Sequence, residues 1–229
     1  MYTINRDIDR PDETVVSGFD GIPSAIVSDV VETPGATMDS GIRPVDREAT
    51  VAGAALTVKA VPGDNLIIHK ALTMAVPGDV LIIDGGSHTE TAFAGELMCL
   101  SCREHGLSVL VIDGAVRDRT EIAALEFPVY TRGTHPKGPS KRHLGSINVP
   151  LSCGGTVVRP GDVVVGDGDG VAVVPKESAE ETLERATETL EAEAALRDRV
   201  RKGEYLYEIS GYDEVFERLS ERDTDCLDD

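Results

Sequence analysis

Val80-Leu81-Ile82-Ile83-Asp84 and Val109-Leu110-Val111-Ile112-Asp113 are two runs of one design, four apolar residues closed by an aspartate. A strand with one wet face alternates apolar and polar residues. These runs do not alternate, so both of their faces are expected to be buried, as in a parallel sheet covered on each side. Between them Gly95 to His105 reads as a helix, and after the second run Asp118 to Leu125 reads as a short helix leading to a third strand, Val129-Tyr130-Thr131. Strands alternating with helices define an α/β architecture.

Upstream, Pro11 and Pro23 each open a short helix, since proline is tolerated in a first helical turn. The run Val51 to Val61 is strand-like, and Asp64 is the expected N-cap of a helix reaching Ala75. Downstream the rhythm changes to short strands, Ile147 to Leu151, Thr156 to Val158, Asp162 to Val165 and Val171 to Val174, expected as an antiparallel or mixed sheet packed on the first. Gly166-Asp167-Gly168-Asp169-Gly170 reads as a tight hairpin. A strand follows it where a nucleotide-binding loop needs a helix, and the distal Glu of a calcium loop is missing. Residues 1–175 are therefore assigned to one catalytic domain and 176–229 to an acidic helical extension, with Leu183, Ala186, Leu190, Ala194 and Leu196 as apolar positions of its first helix. The extension is expected to pack on the same domain or on a neighbouring subunit.

The 229 residues carry 22 Lys and Arg against 41 Asp and Glu, a formal charge of −19. Such a field repels a phosphate backbone and removes the term that supplies most non-specific nucleic-acid binding, so DNA and RNA are excluded as partners. The acidity is typical of proteins from salt-loving organisms. No stretch approaches the roughly 20 apolar residues of a membrane span, and the N-terminus has no apolar leader, so a cytoplasmic protein is expected. Of the cysteines, Cys99 and Cys102 fall within an apolar helix and Cys153 and Cys226 stand apart. They read as small buried hydrophobes rather than as a zinc or redox pair.

The chemistry-bearing pattern is Gly95-Glu96, twenty residues, then Arg117-Asp118. In open α/β sheets ligands bind beyond the carboxyl ends of the strands. If the strands ending near Asp84 and Asp113 are neighbours, both groups share one crevice. Gly95 lets a ligand approach a helix start closely, and the amides of Leu97 and Met98 are there to meet an anion. Arg117 offers a planar fork to the same carboxylate, which Lys does not. Asp118 and Glu96 are hard oxygen donors suited to Mg²⁺ or Mn²⁺. A 2-oxo acid chelating such a metal would have its enolate stabilised when the bond beyond C3 breaks. Glu121, one turn after Asp118, is either a nearby supporting acid or a solvated helix residue. His88 precedes the site loop as a further candidate for substrate contact. Lys59 and Lys70 are the lysines an imine mechanism would use, and neither falls in this crevice.

The motif Gly95-Glu96-x20-Arg117-Asp118-x2-Glu121, with Val111-Ile112-Asp113-Gly114-Ala115-Val116 before the Arg-Asp pair and Asn148 to Gly155 and Val158-Arg159-Pro160-Gly161-Asp162 after it, resembles the class II pyruvate aldolases. Those enzymes act on 4-hydroxy-4-methyl-2-oxoglutarate and 4-carboxy-4-hydroxy-2-oxoadipate and belong to the RraA-like family, which also contains regulators of ribonuclease E. The resemblance covers roughly residues 20 to 185. It implies a layered α/β/β sandwich of the swivelling-domain type with C-terminal helices, a homotrimer or hexamer, and sites near subunit contacts. It implies further that Arg117 binds the pyruvyl carboxylate with the Leu97 and Met98 amides, that Asp118 ligates Mg²⁺, Mn²⁺ or Co²⁺, and that Glu96 acts through metal-bound water. Oxaloacetate decarboxylation is the expected side activity. The family often has a further Gly three residues before the Gly-Glu pair, where this chain has Ala92, so the distal half of the substrate stays open. Two other functions stay open as well, a non-catalytic regulator that binds a ribonuclease and a related sugar-acid lyase or hydratase.

Overall fold

The computed structural model describes residues 2–46 and 50–225, the last five of these by backbone alone; Cys226 lies outside the described residues. The chain divides into two compact units, Met1–Ala186 and Thr187–Asp229. The first opens with two short helices, α1 (Glu13–Gly18) and α2 (Ser24–Val30), where the two prolines anticipate them. It continues through β1 (Arg43–Pro44), β2 (Val51–Lys59), α3 (Leu66–Leu72), β3 (Asp79–Ala94), α4 (Glu96–Glu104), β4 (Val109–Val116), α5 (Arg119–Ala123) and β5 (Val129–Thr134). Short strands follow: β6 (Ser146–Ile147), β7 (Leu151–Cys153), β8 (Thr156–Val158), β9 (Val163–Gly166) and β10 (Val171–Val174). The boundary between the units falls within α6 (Ala179–Arg201), and α7 (Leu206–Ile209) and α8 (Tyr212–Asp225) complete the second.

Among the described residues eight strands form one sheet, ordered β1-β5-β4-β3-β2-β9-β10 with β6 also on β2. Its centre, β2 through β5, is parallel, as the unbroken apolar runs require: Val80 is opposite Val109, and Leu110 is opposite Val129. One face packs Leu56, Val58, Leu81, Ile83, Leu110 and Ile112 against α3 and α4 residues such as Ile68, Met98 and Cys102. The other packs Ile82, Val109, Val111 and Tyr130 against Leu151, Val158, Val164 and Val173, because the sheet curls back on itself. This is the layered mixed α/β fold with C-terminal helices that the sequence implied.

Two details differ from the sequence reading. Strands β9 and β10 extend the main sheet, with β9 antiparallel to β2, and only β7 and β8 form a separate hairpin. Strand β3 does not end at Asp84. It runs on to Ala94, with register shifts at Asp84/His88, His88/Ala92 and Ala92/Ala94. Bulges of this kind insert residues that break the period-2 pattern, which is why a polar stretch reads as a loop.

Candidate functional site

The extension of β3 decides where the site lies. Ala94, its last residue, is the register partner of Val116, the last residue of β4. The next residue on each chain segment is therefore Gly95 on one side and Arg117 on the other, and the Arg117 N–H donates to the Ala94 carbonyl across 3.0 Å. Gly95 caps α4 in an extended conformation. A side chain there would collide with the Asp118 carboxylate and come within 3.0 Å of Arg117 Nε. Glycine is thus required by close approach rather than by its backbone angles.

Asp118 caps α5 with φ 59°, in the left-handed region that Asn and Asp tolerate best among residues bearing a side chain. That turn aims its carboxylate back at α4. Its Oδ2 accepts the Glu96 N–H at 3.2 Å and lies 3.4 Å from Arg117 Nε. Oδ1 has no partner among the described residues. Arg117 and Asp118 remain 45% and 40% exposed, so this pair faces solvent and can be reached.

Gly95, Glu96, Leu97, Met98, Arg117 and Asp118 line one cleft of about 290 Å³. The volume exceeds what pyruvate needs. The amides differ in availability. The Met98 N–H already donates to the Gly95 carbonyl at 3.1 Å, and the Glu96 N–H is taken by Asp118, which leaves the Leu97 N–H without a partner among the described residues.

Sequence reasoning missed six residues of this cleft: Phe93 and Ala94 at the end of β3, and Asn65, His69, Pro139 and Lys141 from more distant parts of the chain. Asn65, rather than Asp64, is the N-cap of α3, but its side chain does not cap. Its Nδ2 donates to the Phe93 carbonyl at 2.9 Å, while its Oδ1 is buried without a partner among the described residues. Burial, and then the neighbouring Lys141 charge, lower the pKa of His69. Asp64, one residue before the N-cap position, still accepts the Leu66 N–H at the start of α3 and ties it to the connection that carries Pro139 and Lys141. Burial opposes its charge, but hydrogen bonds from Ser140, Arg142, Leu66 and His143 hold its carboxyl well below the usual range.

The remaining candidates fall elsewhere. Lys59 pairs loosely with Asp84 at 4.0 Å, and neither Lys59 nor Lys70 lines the cleft. His88 does not line the cleft; its ring packs edge-on against Phe93, which does. Glu121 is exposed on α5. Asp84 accepts the Gly86 N–H, and Asp113 accepts the Gly154 N–H and pairs with Arg132, so both aspartates, which lie inside β3 and β4 rather than at their ends, are committed. Cys99 and Cys102 are free and fully buried, and burial pushes each thiol up to about 12, as expected of small core hydrophobes. The Asp167 turn is a hairpin, its Oδ1 accepting the Asp169 N–H at 2.9 Å.

Among the described residues no three His, Cys, Asp or Glu side chains gather to hold a metal ion. A caged zinc or calcium site is absent from that part of the chain. Asp118 with a free Oδ1 and Glu96 beside it do fit a hard cation that takes one or two protein carboxylates and otherwise water, the habit of Mg²⁺. No helix of the described residues is long and apolar enough to cross a membrane.

The structure is a curled mixed α/β sheet that brings Arg117, Asp118 and the start of α4 to the ends of adjacent parallel strands. Residues 24–173 match the RraA-like family, described as Aldolase/RraA, and the chain belongs to that family. It is 41% identical over 172 residues, 75% of this chain and 81% of the relative, to a Halalkalibacterium halodurans protein named "Putative 4-hydroxy-4-methyl-2-oxoglutarate aldolase". Among solved structures, Streptomyces coelicolor RraAS2, an unusual member of the RNase ES inhibitor RraA protein family, superposes with a TM-score of 0.76 at 28% identity, covering 83% of this chain and 99% of that one. An uncharacterized Pseudomonas syringae protein does so with a TM-score of 0.78 at 25% identity, over 87% and 98%.

Proposed function

We propose that this chain is a divalent-metal-dependent lyase, a class II aldolase that cleaves 4-hydroxy-2-oxo acids to pyruvate and decarboxylates oxaloacetate as a side activity. The observation that carries the reading is the convergence of Arg117, Asp118 and the start of α4 on one cleft.

In this reading the Arg117 guanidinium grips the substrate carboxylate by its fork, and the Leu97 N–H donates to it from the other side. Asp118 would hold the cation, with Glu96 as the second carboxylate acting through water. The cation supplies Lewis acidity to the bound 2-oxo acid. As the bond beyond C3 breaks, the C4 hydroxyl gives up its proton and becomes a carbonyl, and C3 gains a proton. Glu96 is the carboxylate at hand to exchange those protons with water in the cleft. Lys141 places positive charge in the same cleft, and His69, whose pKa burial lowers, stands there as a neutral ring; neither enters this chemistry.

The rival reading is a regulator that inhibits a ribonuclease, as the name of the Streptomyces coelicolor structure states for that protein's family. A pure binder has no use for Glu96, Arg117 and Asp118 held together around a cavity, so the lyase is preferred. The deciding assay measures pyruvate release from a panel of 4-hydroxy-2-oxo acids and oxaloacetate, with and without Mg²⁺. No pyruvate from any member, together with inhibition of a ribonuclease, would replace the lyase by the regulator.

A further inference from the structure

Asp64 is a carboxylate only 1% exposed, and it lines no cavity described above. Its Oδ1 accepts the Leu66 N–H at 3.0 Å. Its Oδ2 accepts the Ser140 hydroxyl at 2.5 Å, the Arg142 N–H at 2.6 Å and the His143 N–H at 3.2 Å, with the His143 ring Nδ1 3.3 Å away. One buried anion thus gathers donors that lie some 76 to 79 positions along the chain. The backbone adds two more ties at the same place: Ser140 N–H to the Gly63 carbonyl at 2.8 Å and Asn65 N–H to the Ser140 carbonyl at 3.1 Å. A third tie, Ala92 N–H to the Lys137 carbonyl at 2.9 Å, pins the other end.

Between those anchors the connection passes over the head of Arg117. A Cβ built on Gly138 would stand 2.8 Å from Arg117 Nη1. Pro139 and Lys141, the next residues along, line the cleft. Gly95 and Asp118 approach the same side chain at Nε, which is 3.0 Å from where a Gly95 Cβ would stand and 3.4 Å from Asp118 Oδ2. The guanidinium is therefore bordered both by the α4 start and by Gly138, and the segment that follows Gly138 is held by Asp64.

We infer that Asp64 is a positioning residue for the cleft: through Ser140, Arg142 and His143 it fixes the wall that sets where the Arg117 fork can stand. The inference rests on the reading of this cleft as the active site. It differs from a simple structural role in one respect, since loss of Asp64 must act through Arg117. A displacement of about 1 Å at such a group costs on the order of a hundredfold in rate.

The test is a double-mutant cycle with crystal structures. Asp64→Asn is close to isosteric but puts an amide among donors that need an acceptor. It is expected to lower kcat/KM for pyruvate release between about tenfold and a hundredfold in the otherwise native enzyme. In an Arg117→Lys background it is expected to change little, because the group it positions is already lost. Equal losses in both backgrounds would overturn the inference and leave Asp64 with a structural role only. Gly138→Ala approaches from the other side. Gly138 does not need the left-handed region, and the atom its Cβ meets is the mobile end of Arg117. Unchanged melting with reduced turnover is expected, and unchanged turnover would overturn the inference. Should Asp64→Asn fail to fold, Ser140→Ala, which removes one donor and keeps the carboxylate, goes through the same cycle. The crystal structure of whichever variant is used is expected to show Gly138–Lys141 and the Arg117 guanidinium displaced together, and both in place would overturn the inference. This arm is independent of turnover: a native protein that releases no pyruvate sinks the lyase reading, and the displacement still decides the role of Asp64.

Discussion

Ala94 and Val116 are register partners at the ends of adjacent parallel strands, and every group of the candidate site is counted from them. The pairing sets Gly95 beside Arg117, delivers the Glu96 N–H to Asp118 Oδ2 and leaves Asp118 Oδ1 turned outward without a partner among the described residues. The predictions below ask what each of these groups contributes.

Chelation of divalent metal by EDTA should abolish pyruvate release, and Mg²⁺ or Mn²⁺ should restore it. Asp118→Ala should lose turnover and metal response together, because it removes the direct ligand. Full turnover in EDTA would end the metal-dependent reading.

Arg117→Lys should fold normally, keep its metal response and lose about a hundredfold or more in kcat/KM. A point charge does not reproduce a planar fork, and one preorganised group aimed at developing charge is worth about that much. Steady-state kinetics with and without added Mg²⁺ check this, and a loss below about threefold would remove Arg117 from the chemistry.

Glu96→Gln should fall between the native enzyme and Arg117→Lys, on the order of tenfold to a hundredfold down. An amide still contacts water in the cleft but does not exchange a proton with it. A Gln variant with native turnover would assign proton transfer elsewhere.

Borohydride added with pyruvate should trap no adduct, as read by intact mass. The relevant lysine is Lys141, which lines the cleft, rather than Lys59 or Lys70, which do not. A trapped adduct on Lys141 would move the protein to imine chemistry.

Sedimentation in high salt should give a trimer or a hexamer. A charge of −19 per chain drives subunits apart at low ionic strength, so screening is needed for a fair measurement. A stable monomer in high salt would contradict the expectation.

The sheet centre was legible because its runs are apolar without alternation, at 80–84, 109–113 and 129–131, and each became a strand of the parallel core. What stayed hidden has physical reasons. The second half of β3 is polar and bulged, so neither period nor composition marks it as strand. β9 joins the main sheet by pairing with β2, more than a hundred residues earlier in the chain, and carries β10 with it, and local pattern does not encode a partner at that range. The Gly95-Glu96 and Arg117-Asp118 groups could be read because each sits at a strand end, where chain direction alone aims it. Asn65, His69, Pro139 and Lys141 reach the same cleft through the Asp64 clamp, and one aspartate before a helix reads as a cap whether or not it also holds a distant segment.

The left-handed backbone at position 118 bears on how such a scaffold changes occupation. Few residues rest comfortably at φ 59°, and asparagine is chief among them. Replacing a single oxygen of Asp118 by nitrogen leaves the turn undisturbed and keeps an acceptor for the Glu96 N–H, yet removes the negative charge. On the lyase reading proposed above, a descendant of this chain is thus one conservative exchange away from a molecule with the same shape, the same cleft and no charged ligand for a cation. On that reading the route from catalyst to binding protein runs through a side chain that the fold hardly notices.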